Sequence, residues 1–221
     1  MKIGVIAGTG FEDLSSIEGI DLIISRHGRE HSISPSNVPY RKNILKMKDN
    51  DITHILSITA CGSLREELNP GTIVFPNQVI DRTYKRDNFL YDKITHISMG
   101  EPFSIDLRIQ LEEAAKKANI KYATNKTLVV IEGLRFSTLA ESLLYKSWNC
   151  DIINMTTMPE ATFAKEAGME YHPIALVTDY DCWKKGEEVT YEKIKETLRL
   201  NKEKALELIK VFIALFRRKN G

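Results

Sequence analysis

The chain has 221 residues, with 31 Lys and Arg against 30 Asp and Glu, for a formal charge of +1. That length suits one α/β domain with a sizeable core, and the charge balance lacks the basic excess of a polyanion-binding protein, so no nucleic-acid partner is expected. No stretch of 18 apolar residues marks a membrane span, the Met1–Ile6 start lacks the apolar run of a signal peptide, and three scattered cysteines, Cys61, Cys150 and Cys182, fit neither a disulfide framework nor a zinc site. These features predict a cytoplasmic protein with reduced thiols, no membrane partner and no metal. In chain order, Lys2–Ala7 reads as a strand and Leu22–Ser25 as a short one, and Asn43–Lys48 sits in a helix. His54–Thr59 and Thr72–Ile80 read as strands. Ile105–Ala118 has helical spacing, with Leu107, Leu111, Ala114, Ala115 and Ala118 on one face. Leu128–Ile131 is a strand, Thr138–Trp148 a helix, Ile152-Ile153 opens a strand, Glu160–Ala167 is a helix and His172–Thr178 a strand. Val189–Arg217 is a long helical pattern. The alternation predicts an α/β fold, a single domain over residues 1–221, with a mixed, largely parallel central sheet flanked by helices.

Chemistry concentrates at the ends of the expected strands. After the apolar run Ile174–Val177 comes Thr178-Asp179-Tyr180-Asp181-Cys182-Trp183, and ligand sites of open α/β sheets lie at the carboxyl ends of strands. Residues two apart in an extended chain point the same way, so Asp179 and Asp181 would address one ligand together. Ionised carboxylates accept from N–H groups, and one of a close pair can hold a proton, which suits an aminopurine. The same two acids also read as a solvated loop or a helix N-cap. Gly8-Thr9-Gly10 after the first strand is a turn whose backbone N–H groups can face an anion. It does not extend to a dinucleotide fingerprint, because position 13 is Asp13. Arg26 and His27 follow the second strand, and arginine grips a phosphate through two parallel hydrogen bonds. Thr59 ends an apolar strand, where a backbone-and-hydroxyl anion cup would sit.

Seven motifs stand in order along the chain: Gly8-Thr9-Gly10, Arg26-His27-Gly28-Arg29-Glu30-His31, Thr59-Ala60-Cys61-Gly62-Ser63-Leu64-Arg65-Glu66-Glu67, Glu101-Pro102-Phe103, Ile131-Glu132-Gly133-Leu134-Arg135-Phe136-Ser137, Asn154 to Glu160, and the aspartate segment. Together they resemble the 5′-methylthioadenosine phosphorylases of the trimeric purine nucleoside phosphorylase family, over most of the chain. The resemblance implies a nucleoside phosphorylase-like fold and a set of site residues. Thr9, Arg26, His27, Thr59, Ala60 and Thr156 would surround phosphate, Ala60 through its backbone N–H. Met155 would lie against the ribose and Phe136 would form a wall against the purine, although both residue types by default fill a core. His96 would reach the 5′ end of a nucleoside in a neighbouring subunit. Tyr191 and Ile194, a turn apart on the last helix, would line the alkylthio pocket, with Ile194 favouring methylthio over hydroxyl. Glu132, Gly133 and Arg135 read as structural.

The implied reaction is phosphorolysis of 5′-methylthioadenosine to adenine and 5-methylthioribose 1-phosphate. It needs no cofactor, inorganic phosphate being a co-substrate. Asp179, beside Asp181, would supply the proton at N7 of the leaving purine, its pKa raised by the closed site and its neighbour. The implied partners are a purine nucleoside, phosphate and further copies of the chain, as a trimer or a dimer of trimers. Two other readings stand beside it: a phosphorylase of 6-oxopurine nucleosides (methylthioinosine, inosine or guanosine), and a non-catalytic protein that binds nucleoside or phosphate. The chain departs from the family in three places. Only fifteen residues separate Gly10 from Arg26, Leu134 replaces a proline, and the sequence stops soon after its last helix, at Arg217–Gly221.

Overall fold

The computed structural model describes residues 1–11, 14 and 17–220, apart from the side chains of Arg29 and Asn220; Asp13 lies outside the described residues. The centre of the fold is strand β3, His54–Ser63, flanked by β1, Ile3–Ala7, and β9, Glu170–Asp179, both parallel to it. All three carry near-continuous buried apolar runs, as strands covered on both faces must. β2, Leu22–Ser25, extends the sheet beyond β1 in parallel. On the upper part of β3, β8, Ile152–Asn154, pairs antiparallel and leads through β7, Thr127–Ile131, to β5, Gln78–Arg82. On the far side of β9 lie β4, Ile73–Phe75, and β6, Tyr122–Thr124.

Helices cover both faces. On one, α2, Ile105–Lys117, and α5, Tyr191–Asn220, bury Leu107, Leu111, Leu208, Phe212 and Phe216 against the sheet. On the other, α1, Tyr40–Asp49, and α4, Thr157–Glu166, bury Ile44, Met47, Ala161 and Phe163. α3, Leu139–Ser147, opens on a capping box, Thr138 accepting from the Glu141 N–H while the Glu141 carboxylate accepts from the Thr138 N–H. No helix among the described residues is long and apolar enough to cross a membrane.

Three elements differ from expectation. The Thr72–Ile80 run is two strands, because Pro76 has no N–H to continue a ladder and Asn77 donates instead to the Lys126 carbonyl, sending the chain from one sheet flank to the other. β6 is three half-buried residues, too short for a periodic signal. α4 begins three residues earlier than expected, with Met158 held out of helical geometry at φ −112°, ψ 137°.

Candidate active site

Because β1, β2, β3 and β9 run in parallel, their carboxyl ends meet at one edge of the sheet, and β8 runs back beside β3 so that Asn154–Thr156 lie next to Thr59–Cys61. A cavity of about 410 Å³ opens there. Thr9, Arg26, His27, Thr59, Ala60 and Thr156 line one part of it, and Phe136, Met155, Asp179, Asp181, Tyr191 and Ile194 the rest. His96 does not: it is exposed on the irregular stretch between β5 and α2.

Arg26 is 1% exposed, and its guanidinium differs from the expected two-pronged phosphate grip. Nε and Nη2 donate to the two carboxylate oxygens of buried Glu160, each at 2.9 Å; Nη2 also donates to Ser57 Oγ at 2.6 Å, and Nη1 to the Ile58 carbonyl at 2.9 Å. The fork is therefore taken by Glu160, and the Nη1 edge is what lies against the cavity-lining Gly8. That approach explains Gly8: a Cβ there would stand 2.4 Å from the Ile58 carbonyl oxygen and 2.7 Å from Nη1. Thr59 Oγ accepts from Asn154 Nδ2 at 3.0 Å and donates to the Ala60 carbonyl at 3.1 Å, and Thr156 Oγ is 3.5 Å away. Thr156 precedes α4 without capping it, so its hydroxyl is not consumed by the helix. His27 Nδ1 donates to the Ile33 carbonyl at 2.8 Å. Burial, with Arg26 and His31 nearby, pulls the His27 pKa down to about 4, so near pH 7 the ring is neutral and Nε2 is an acceptor. Hydroxyls, a compensated arginine and an acceptor together suit a phosphate oxyanion that retains a proton.

The carboxylate pair is not built as an extended chain. Asp179 ends β9, and the chain then turns through Asp181 at φ +50° into a short 3-10 turn, with the Asp181 N–H donating to Asp179 Oδ1 at 2.8 Å. Thr178 donates to Asp179 Oδ2 at 2.7 Å. The turn, rather than strand alternation, brings both acids to the cavity. Asp181 is 4% exposed, and its Oδ2 is buried without a hydrogen-bond partner. Burial raises both pKa values; the Thr178 and Asp181 N–H bonds oppose this at Asp179, and the nearby hydroxyls of Ser142 and Ser137 oppose it at Asp181. Those two hydroxyls are themselves buried without a hydrogen-bond partner, like Oδ2. An orphaned buried acceptor calls for a donor from a ligand.

Several residues that matter carried no separate sequence signal. Glu160 shapes Arg26 from 134 positions away. Asn154 orients Thr59, and Ser137 and His31 line the cavity, the His31 ring 4.2 Å from that of His27 and 5.8 Å from that of Tyr191. Gly62 is closely packed: a Cβ would sit 3.0 Å from Asp179 Oδ1, so that carboxylate would have to give by a few tenths of an ångström.

Residues 3–214 match the family model of the phosphorylase superfamily. The S-methyl-5′-thioadenosine phosphorylase of Xenopus tropicalis is 43% identical over 95% of this chain and 86% of its own length, and that of Danio rerio 42% over 95% and 86%. The methylthioadenosine phosphorylase of Schistosoma mansoni in complex with adenine superposes with a TM-score of 0.94 at 33% identity, covering 99% of this chain and 92% of the other. A mutant of that enzyme in complex with methylthioadenosine gives 0.93 at 33%, with the same coverage. With the match spanning nearly the whole sheet and every strand end that forms the cavity, the chain belongs to the phosphorylase superfamily.

Proposed function

We infer that the protein is a methylthioadenosine phosphorylase. Phosphate attacks C1′ of 5′-methylthioadenosine, an oxygen lone pair forming the C1′–O bond while the C1′–N9 electron pair leaves with the purine, giving adenine and 5-methylthioribose 1-phosphate. The observation that carries this reading is the convergence of a hydroxyl-rich anion cradle and a buried carboxylate pair in one cavity of about 410 Å³, a volume that suits a nucleoside. It is supported by full-length likeness to enzymes named for this activity.

In this account Thr9, the Ala60 N–H, Thr59, Thr156 and the Nη1 edge of Arg26 hold phosphate, and the neutral His27 accepts its proton. Met155 and Phe136 flank the ribose and purine. Asp181 accepts from the 6-amino group through its free oxygen. Asp179, with its pKa raised by burial, donates at N7 as charge builds on the leaving base. The oxocarbenium character of the sugar is met by the adjacent phosphate. The active form is a homo-oligomer, a trimer or dimer of trimers, in which His96 of each subunit serves a neighbour. Exposed Leu134 and Phe136 at the mouth leave a rim for such a neighbour to close.

The reading is tested by comparing methylthioadenosine, methylthioinosine, adenosine and inosine at saturating phosphate. The expected order has methylthioadenosine first by kcat/KM. A preference for the 6-oxo compounds would move the assignment to the oxopurine branch, and no base release from any of them would favour a binding protein.

A further inference from the structure

Glu160 is a charged residue with no exposure, in contact with no part of the cavity surface, yet it is bound to a side chain that is. Its Oε1 accepts from Arg26 Nη2 at 2.9 Å, Ser57 Oγ at 2.6 Å and Tyr171 Oη at 2.8 Å, and its Oε2 accepts from Arg26 Nε at 2.9 Å. The only cation at the phosphate end among the described cavity-lining residues is therefore matched by an anion directly behind it, and His27 beside it is neutral. An arginine with no counter-charge would attract an anion most strongly but would itself be costly to bury. Here the opposite arrangement is built from four hydrogen bonds.

We propose that Glu160 is a positioning residue that holds Arg26 as a charge-compensated donor, so that bound phosphate keeps its negative charge for the sugar cation that develops as the base leaves. The inference rests on the phosphorolysis reading. An uncompensated Arg26 would bind phosphate more tightly, but it would withdraw from the nucleophile the charge that the transition state uses. Interactions that favour the ground state over the transition state lower KM and kcat together. Compensation by Glu160 exchanges phosphate affinity for rate.

Glu160→Gln keeps the shape of the side chain and removes its charge. The expected result is a phosphate KM lowered about three-fold or more and a kcat lowered about ten-fold or more, with the nucleoside KM held within about two-fold. A merely structural Glu160 would give a raised phosphate KM as Arg26 loses its place. A phosphate KM that rises or stays unchanged in folded Glu160→Gln overturns the proposal. Should that variant fail to fold, Tyr171→Phe decides. It leaves both charges and strips one donor from Oε1, so the carboxylate acts more fully on Arg26, and phosphate KM and kcat should both rise, by about two-fold, whereas a merely displaced Arg26 would raise KM and lower kcat. An unchanged or lowered KM, or a lowered kcat, in Tyr171→Phe contradicts the inference. The phosphorolysis reading is checked separately by the wild-type requirement for phosphate, so failure of one is distinguishable from failure of the other.

Discussion

At the scale of single residues, the base end of the cavity makes the sharpest demands. Asp181 Oδ2 is buried and unpartnered, and a site with an unpaired polar group discriminates strongly between ligands that do and do not satisfy it. Asp181→Asn should therefore lose part of the preference for a 6-amino over a 6-oxo purine, because its amide can donate where a carboxylate cannot; the ratio of kcat/KM for methylthioadenosine and methylthioinosine measures it. Asp179→Asn should slow the chemical step about 10²-fold or more, since an amide delivers no proton to N7. Single-turnover rates test this, and an unchanged rate would remove Asp179 from that role. Which residues gather at the cavity was largely legible, because most stand at the ends of apolar runs that become strands. How they are held was not. The grip expected of Arg26 is spent on Glu160, and that pairing joins positions 134 apart in sequence, a relation that no local pattern encodes.

At the scale of elements, the cavity depends on close approach between strand ends. β3 and β9 shift register between Cys61 and Gly62, where Gly62 comes opposite Asp179. Gly62→Ala should push on the Asp179 carboxylate from 3.0 Å, raising the nucleoside KM while leaving the phosphate KM near its wild-type value, since the phosphate cradle lies toward the other end of the cavity. Equal loss on both substrates would show that the strand end, rather than the carboxylate, had moved. Long periodic elements were readable: α2 and α5 were expected from their apolar stripes, and β1, β3 and β9 from their runs. The split at Pro76 falls inside one expected strand because Ile73–Phe75 and Val79-Ile80 are apolar on either side of Pro76-Asn77-Gln78; the proline ends the first ladder, and the two halves take different partners, β9 and β7. The aspartate pair was placed correctly at a strand end but for the wrong geometric reason, the left-handed turn at Asp181 replacing strand alternation.

At the scale of the whole molecule, two buried histidines set an acid limit. Burial lowers His27 to about 4 and His172 to about 3, from an ordinary 6.5. A base held neutral in the fold but protonated once unfolded contributes stability above pH 6.5 that is lost as pH falls through the folded pKa, about 3 kcal/mol for His27 alone. Asp179 and Asp181, with raised pKa values, act in the opposite sense over part of the same range. The comparison that isolates the histidine effect is His172→Phe, which should lose less stability than wild type in denaturant titrations between pH 6.5 and pH 4. A parallel pH dependence would contradict it.

Assembly belongs to the same scale. His96 lies away from its own cavity, so full activity should coincide with an oligomer in light scattering at assay concentration; a fully active monomer would refute the shared site. In this mechanism phosphate, not water, is the nucleophile. Following methylthioadenosine cleavage by 31P NMR should show inorganic phosphate converted to a sugar 1-phosphate in step with adenine release, and no adenine without phosphate. Adenine released at the same rate in phosphate-free buffer, with free methylthioribose as the product, would contradict the account.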